Sequence, residues 1–495
     1  MKNAIRLLSL LLAGILLLGL VACKTDSGNE TPTATETPTD TESDSPYADR
    51  PDIPTDLDYS GMEFRILARN ASDYYSDELW VSEENTKTQV NSAVYGRYKK
   101  IEEQYGVTFK LDTRFDENEI QQWVTTAARV ADASDVYHLV ATHGTRCPVY
   151  AVEGFSADWN RLPYVNVGSD WWSQDAQAQW TTLSGSIYMM TGDISYLSVG
   201  QAVGQFFNKD LLRSVGLDNP YQLVRDGEWT YENFKLYVAQ LSESLNGDDS
   251  KNIATDSVAY VTGWWRGPIN VIYSAGARWL EVGEDDIKVV GATDHNLTAV
   301  FDEYFAMLKS NTIIIQGNYA DAWEAFNTKR VGFYDDITLC AKEFSKAGTS
   351  FGLLPMPKAS KTVEKNYTFA NAATNTFMVP VAVLSDEKTT EMTSVVLELL
   401  AYYGSKDVLP TYYKEVLTTG SQTDVESVEM MGIIRNSLVY DLGYYYSIGG
   451  LSGIGHEMAE ELLNKKYGEI GSFATKYTRY ADQVSKYLND WKALD

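Results

Sequence analysis

Glu63–Ala68 (EFRILA), Val107–Leu111 (VTFKL) and Val136–Ala141 (VYHLVA) read as three short strands, and two helical segments separate them. Thr86–Tyr105 places Val90, Ala93, Val94, Tyr98, Ile101 and Tyr105 on one helical face. Glu117–Val130 turns Ile120, Trp123, Val124 and Ala127 inward in the same way. Strand, helix, strand, helix, strand predicts a parallel sheet with right-handed crossovers, and so an α/β fold. Ligands bind beyond the carboxyl ends of such strands. That singles out Asn70–Tyr75 after the first strand and Thr142–Arg146 after the third.

Downstream the pattern continues with strands at Gly185–Met190, Arg330–Tyr334, Phe351–Met356 and Phe377–Val383. Gln205–Leu212 (QFFNKDLL) follows the first of these, and helices are predicted at Tyr231–Leu245, Asn296–Lys309 and Asp321–Asn327. Beyond Asp386 the chain reads as mostly helical: Thr389–Tyr403, Val425–Asn436, Gly455–Asn464 and Ser472–Trp491. No internal repeat is visible.

Upstream, Lys2 and Arg6 precede the apolar run Leu7–Ala22, which ends Leu20-Val21-Ala22-Cys23. A basic start, a short apolar core and small residues before a cleavage point describe a secretory signal. The ending resembles a bacterial lipobox, which implies acylation of Cys23 and a signal peptide spanning 1–22. The competing reading, an uncleaved anchor, meets a run shorter than the roughly 20 residues a spanning helix prefers. Residues 23–58 form a Thr/Ser/Pro and acidic tract with few apolar side chains, expected to stay an extended tether. The remaining chain is long for one hydrophobic core and predicts two lobes.

Formal net charge is −27, and removing Lys2 and Arg6 with the signal makes it −29. Such a surface repels nucleic acid and anionic head groups. Cys23, Cys147 and Cys340 are too few for a disulfide framework. The search for catalytic patterns is negative. Gly348-Thr349-Ser350-Phe351-Gly352 matches G-x-S-x-G but precedes a strand, the wrong context for a nucleophile elbow. The four histidines, His138, His143, His295 and His456, have no metal-ligand spacing, so neither a metal nor a cofactor is expected. Gly449–Gly455 fits no nucleotide fingerprint. Asp335-Asp336 and Asp285-Asp286 are adjacent carboxylates; neighbours on a strand face opposite ways, which argues against an acid/base couple. Asp335 or Asp336 alone is the better candidate for contact with a ligand. Aromatics carry the stronger signal: 12 Trp, 33 Tyr and 16 Phe, with doublets at Tyr74-Tyr75, Trp171-Trp172 and Trp264-Trp265 and the run Tyr444-Tyr445-Tyr446. Flat rings beside carboxylates and amides suit the apolar faces and hydroxyl rims of sugars, and equally suit a protein core.

The run Gly185–Leu245 (GSIYMMTGDISYLSVGQAVGQFFNKDLL and onward to EWTYENF) resembles the extracellular solute-binding proteins of bacterial ABC importers, in the group of maltose-binding protein. Glu324–Tyr334 followed by FGLLPMPK, Met378-Val379-Pro380 and Glu426–Tyr446 resemble further segments of that family in the same order. The resemblance implies a two-lobed, periplasmic-binding-protein-like α/β fold of the second type, with a hinge. It maps a first lobe to 59–194 and 370–430 and a second to 195–369 and 431–495. Cleft positions would be Tyr74, Tyr75, His143, Tyr196, Trp264, Trp265, Asp335, Asn371, Asn375 and Tyr445. The implied protein is a lipid-anchored monomer on the outer face of the cytoplasmic membrane. It would capture a carbohydrate, most simply an oligosaccharide, and pass it to permease subunits without catalysis. The rival class is a surface-anchored polysaccharide-degrading hydrolase or lyase.

Overall fold

A computed structural model describes residues 50–494, apart from 70–76, 115–116, 131–135, 242–251, 310–311, 318, 466–468 and 482. The expected signal, Cys23, most of the tether, and Tyr74 and Tyr75 therefore lie outside the described residues.

In chain order the first strands are β1 (Glu63–Arg69), β2 (Thr108–Arg114), β3 (Leu139–His143), β4 (Val203–Asn208) and β5 (Val258–Gly263). A hairpin of β6 (Leu280–Val282) and β7 (Ile287–Val289) precedes β8 (Thr312–Ile315), β9 (Val331–Ile337) and β10 (Phe351–Leu354). The short β11 (Thr368–Phe369) and then β12 (Asn375–Met378) follow. Two main sheets result. The first has the order β12-β3-β1-β2, and the second β10-β4-β9-β5-β8.

In the first sheet β1 runs parallel to both β2 and β3, with Glu63 opposite Thr108 and Ile66 opposite Leu139. This is the predicted crossover unit. Its helix Gln89–Tyr105 starts at Thr88, whose side chain accepts from the Asn91 N–H, and stops at Gly106, whose φ of 71° suits glycine. Val90, Val94, Tyr98, Ile101 and Tyr105 are buried as expected, while Ala93 is only half-buried. Strand β12 returns from late in the chain to pair antiparallel with β3, Phe377 opposite Ala141. In the second sheet β4 is antiparallel to β9 and β10, and β5 is parallel to β8 and β9.

Several boundaries differ from those expected. The third strand begins at Leu139 rather than Val136, because the His138 ring accepts the Arg65 N–H through Nδ1 at 2.9 Å. Gly185–Met190 forms isolated bridges, Thr181 to Ile187 and Met190 to Phe377, instead of a strand. The strand expected over Phe377–Val383 ends at Met378, where Pro380 lacks a donor and a 3₁₀ turn takes over at Val381–Ser385. Ser472–Trp491 splits into helices Phe473–Ala481 and Val484–Lys492. Val425–Asn436 is helical over its full expected length.

Candidate functional site

A cavity of about 400 Å³ lies between the start of helix Gln89–Tyr105 and the segment that follows β9. One wall carries Thr88, Val90 and Asn91 together with Tyr412 and Glu415 from helix Leu409–Val416. The other carries Arg266, Tyr319, Trp323, Ile337, Leu339 and Lys342. Tyr196, at the head of the short helix Leu197–Gly200, also lines it, with its ring stacked on Tyr412 at 4.9 Å and 21°.

Local sequence explains how these groups converge. Tyr319 and Trp323 are four residues apart on helix Tyr319–Asn327 and so share a face. Arg266 opens helix Arg266–Ser274 directly after β5, following Trp264 and Trp265. Its guanidinium carbon sits 4.1 Å from the Tyr319 ring centroid and 5.0 Å from that of Trp265, and the Trp265 indole N–H donates to the Tyr319 hydroxyl at 3.2 Å. Asp336, fully buried near the end of β9, stands 2.7 Å from Arg266 Nη1. The same carboxylate accepts from the Trp323 indole at 3.2 Å, from the Ile337 N–H at 2.7 Å and from the Tyr334 hydroxyl. Burial is the largest single influence on the Arg266 pKa and works to lower it, but Asp336, Tyr334, Cys340 and Tyr319 together outweigh it and the guanidinium is shifted up. On the facing wall Glu415 accepts the Val90 N–H at 3.0 Å, satisfying one of the free donors at that helix start.

Of the expected cleft residues, the structure places Tyr196 in this wall and Trp265 directly behind Arg266 and Tyr319. The other described ones fall elsewhere. Asp335 is fully buried on the opposite face of β9, accepting from Gln205 at 3.0 Å and from the Tyr260 hydroxyl. Burial pushes its pKa up to about 7. Trp264 packs against the His456 ring, 3.7 Å between centroids. Asn375 is fully buried, bonded by Arg69 Nε at 2.9 Å and donating to Glu78. Asn371 turns its carbonyl to the Ala373 N–H and its amide to Gln201. The hydroxyl of Tyr445 donates to the Ala370 carbonyl at 3.0 Å, its ring covering Gly144 in the core. His143 closes β3, its Nδ1 2.9 Å from Thr145 Oγ1, and burial together with the nearby Arg69 charge lowers its pKa to about 4. Trp171 and Trp172 are also core: both indoles donate to the Glu398 carboxylate, at 3.0 and 2.8 Å.

Sequence reasoning missed Arg266, Tyr319, Trp323, Tyr412 and Glu415. An Arg directly after a double Trp, and the Tyr-x-x-x-Trp spacing at 319–323, were the available signals. Cys147 and Cys340 are both buried free thiols, Cys340 in the cavity wall. Among the described residues no group of three or more His, Cys, Asp or Glu could hold a metal ion. Nor, among them, is any helix long and apolar enough to cross a membrane.

No family model and no curated protein matches the chain in sequence. Solved structures do match. The sugar-binding protein MalE of Xanthomonas citri aligns with TM-score 0.57 and 11% identity, over 86% of this chain and 98% of that one. The GacH receptor of Streptomyces glaucescens, solved unliganded and with acarbose, aligns with TM-score 0.53 and 14% identity, over 86% and 98%. The maltose/maltodextrin-binding domain MalE of Bdellovibrio bacteriovorus, bound to maltotriose, gives 0.51 and 14%, over 86% and 100%. These neighbours are binding proteins, and across nearly their whole length the chain shares their periplasmic-binding-protein-like α/β fold.

Proposed function

We propose that this protein is a lipid-anchored solute-binding protein that captures a carbohydrate between two lobes and delivers it to an ABC permease, with no catalysis of its own. The observation that carries the reading is the aromatic cavity, built around Tyr196, Tyr319, Trp323 and Tyr412, within a fold shared with maltodextrin- and acarbose-binding proteins. Ligand pockets combine apolar walls with a few placed polar groups. Here the rings offer flat apolar faces, and Arg266, Asn91, Lys342 and Glu415 offer donors and acceptors for hydroxyls. The lobes would be 59–194 with 370–430, and 195–369 with 431–495, each built around one of the two main sheets and closing on ligand by a hinge. Acylation of Cys23 would hold this body, as a monomer, on the outer face of the membrane.

Titration calorimetry of the purified body against maltodextrins and other neutral oligosaccharides tests the reading. Saturable binding without product release supports it. Depolymerisation of the sugar would replace it with the hydrolase reading, and binding only of a peptide or polyamine would remove the carbohydrate.

A further inference from the structure

We infer that Arg266 is the principal polar contact to the bound solute, that Asp336 is its positioning residue, and that the group Arg266 takes is an uncharged sugar oxygen rather than a carboxylate. This rests on the binding function proposed above. Arg266 is only 6% exposed and yet forms part of the cavity wall. Its guanidinium is held against the rings of Trp265 and Tyr319. Its Nε and Nη1 are shielded and lack an aligned hydrogen-bond acceptor, although Nη1 lies 2.7 Å from Asp336 Oδ1. These two nitrogens are sealed off beside Asp336, so Nη2 is the nitrogen that a ligand oxygen would meet. A buried guanidinium short of acceptors gains from any ligand oxygen that reaches it.

Asp336 does more than pair with Arg266. Through its bonds from Trp323, Tyr334 and the Ile337 N–H it ties the end of β9 to helix Tyr319–Asn327. One carboxylate therefore sets the positions of two cavity-wall side chains, Arg266 and Trp323, which come from different elements. An Arg already held in place loses little rotamer freedom when it bonds a ligand.

The charge balance of the site chooses between a neutral and an acidic sugar. Arg266, Lys342 and Lys346 are matched by Asp336, Glu343 and Glu415, with Lys346 paired to Glu343 at 2.9 Å. Of these only Arg266 and Asp336 are buried, so a ligand carboxylate brought against that already neutral pair would leave a net negative charge out of water, which is costly. A neutral oxygen meets no such penalty.

Calorimetry with maltotriose and with a trigalacturonate, on wild type, Arg266→Gln and Asp336→Asn, decides the matter, with a thermal melt confirming that each variant is folded. The expected result is wild-type preference for the neutral sugar and a loss on the order of tenfold or more in Arg266→Gln. Asp336→Asn should lose affinity for the neutral sugar while gaining some for the acidic one, because Arg266 is then uncompensated. A purely structural role for Asp336 would not produce that exchange of preference. Should Asp336→Asn fail to fold, Trp323→Phe removes one donor to the same carboxylate and should show a smaller loss for the neutral sugar. Unchanged binding by Arg266→Gln, or wild-type preference for the uronate, overturns the inference and leaves the binding function standing. A wild-type protein that binds neither these sugars nor any other carbohydrate overturns both.

Discussion

Asp335 and Asp336 are chain neighbours on β9 whose carboxylates lie on opposite faces of the second sheet. Asp335 accepts from Gln205 inside the core, and Asp336 pairs with Arg266 at the cavity. Alternation along a strand imposes this division. Asp335→Asn should therefore leave solute affinity unchanged, in contrast to Asp336→Asn. Parallel calorimetry on the two variants checks it, and a matching loss in both would mean that the cavity senses the core face of β9.

Glu398 sits in the core between two indoles, its oxygens accepting from Trp171 and Trp172 and also from the Asn166 N–H at 3.2 Å. Glu398→Ala strands these donors and should cost about 3 kcal/mol of stability, since unsatisfied buried groups cost about 1–3 kcal/mol each. Glu398→Gln should cost less, about 1–2 kcal/mol, because its carbonyl still accepts one indole while its amide faces the other. Urea denaturation gives both values, and equal costs would mean that the second indole is not bonded.

Four buried acids shape the pH dependence of stability. Burial pushes the pKa of Glu78 up to about 8, Asp335 and Glu398 to about 7, and Asp441 to about 6. Each holds its proton longer in the folded state, so its contribution is full below the unfolded pKa and is lost as pH rises through the folded one. His138 and His143, lowered to about 4 by burial, act oppositely, their contribution being lost as pH falls from 6.5 toward 4. Above pH 6.5 the histidine contribution fades as the unfolded imidazoles lose their last protons, and the acids carry the remaining slope. The melting temperature should therefore fall between pH 6.5 and 8, and Glu78→Gln should flatten that slope. A melting temperature that rises across this window contradicts the assignment.

The crossover unit was legible because its signals are local: the period of apolar residues over 90–105, a capping Thr88 and a terminating Gly106. The periplasmic-binding-protein-like α/β fold was legible from the order of several weak segments. The site was less so. Arg97, on helix Gln89–Tyr105, is buried and donates to the Ile194 and Glu78 carbonyls, partners that no local pattern reveals. Whether a Trp doublet lines a cleft or fills a core depends on what lies opposite. Glu398, more than two hundred residues away, places Trp171 and Trp172 in the core, while Trp265 packs behind the cavity-wall residues Arg266 and Tyr319. Asn375 and Tyr445 had the right chemistry for a sugar, but their partners Arg69, Glu78 and the Ala370 carbonyl already occupy them.

Trp264 and Trp265 should separate in the same manner. Trp265 supports Arg266 and bonds Tyr319, so Trp265→Ala should weaken carbohydrate binding by about 1 kcal/mol or more. Trp264 stacks edge-on against His456 away from those groups, so Trp264→Ala should lower the melting temperature and leave affinity intact. Calorimetry and melting on both variants distinguish them, and unchanged affinity in Trp265→Ala would show that this ring does not support Arg266 in recognition.

Gly404 follows helix Glu387–Tyr403 at the start of a π-helical turn, where a Cβ would lie 1.9 Å from the Asp193 carbonyl oxygen. Its φ of −56° is ordinary helix, so glycine is needed there for space and not for backbone freedom. The obstacle is backbone, and Asp193 cannot readily retreat, because Arg435 Nε donates to its carboxylate at 3.0 Å and the Asp193 N–H is bonded to the Trp171 carbonyl. Gly404→Ala should therefore destabilise the protein by about 1–3 kcal/mol through overpacking. Gly96, inside helix Gln89–Tyr105 with nothing near its would-be Cβ, is the control. There alanine has the better helix propensity and should stabilise by up to about 1 kcal/mol. Opposite signs for the two substitutions in thermal or urea unfolding are expected. A neutral Gly404→Ala would show that the segment bearing Asp193 gives way, and that the junction between the π turn and residues 192–200 is softer than its packing implies.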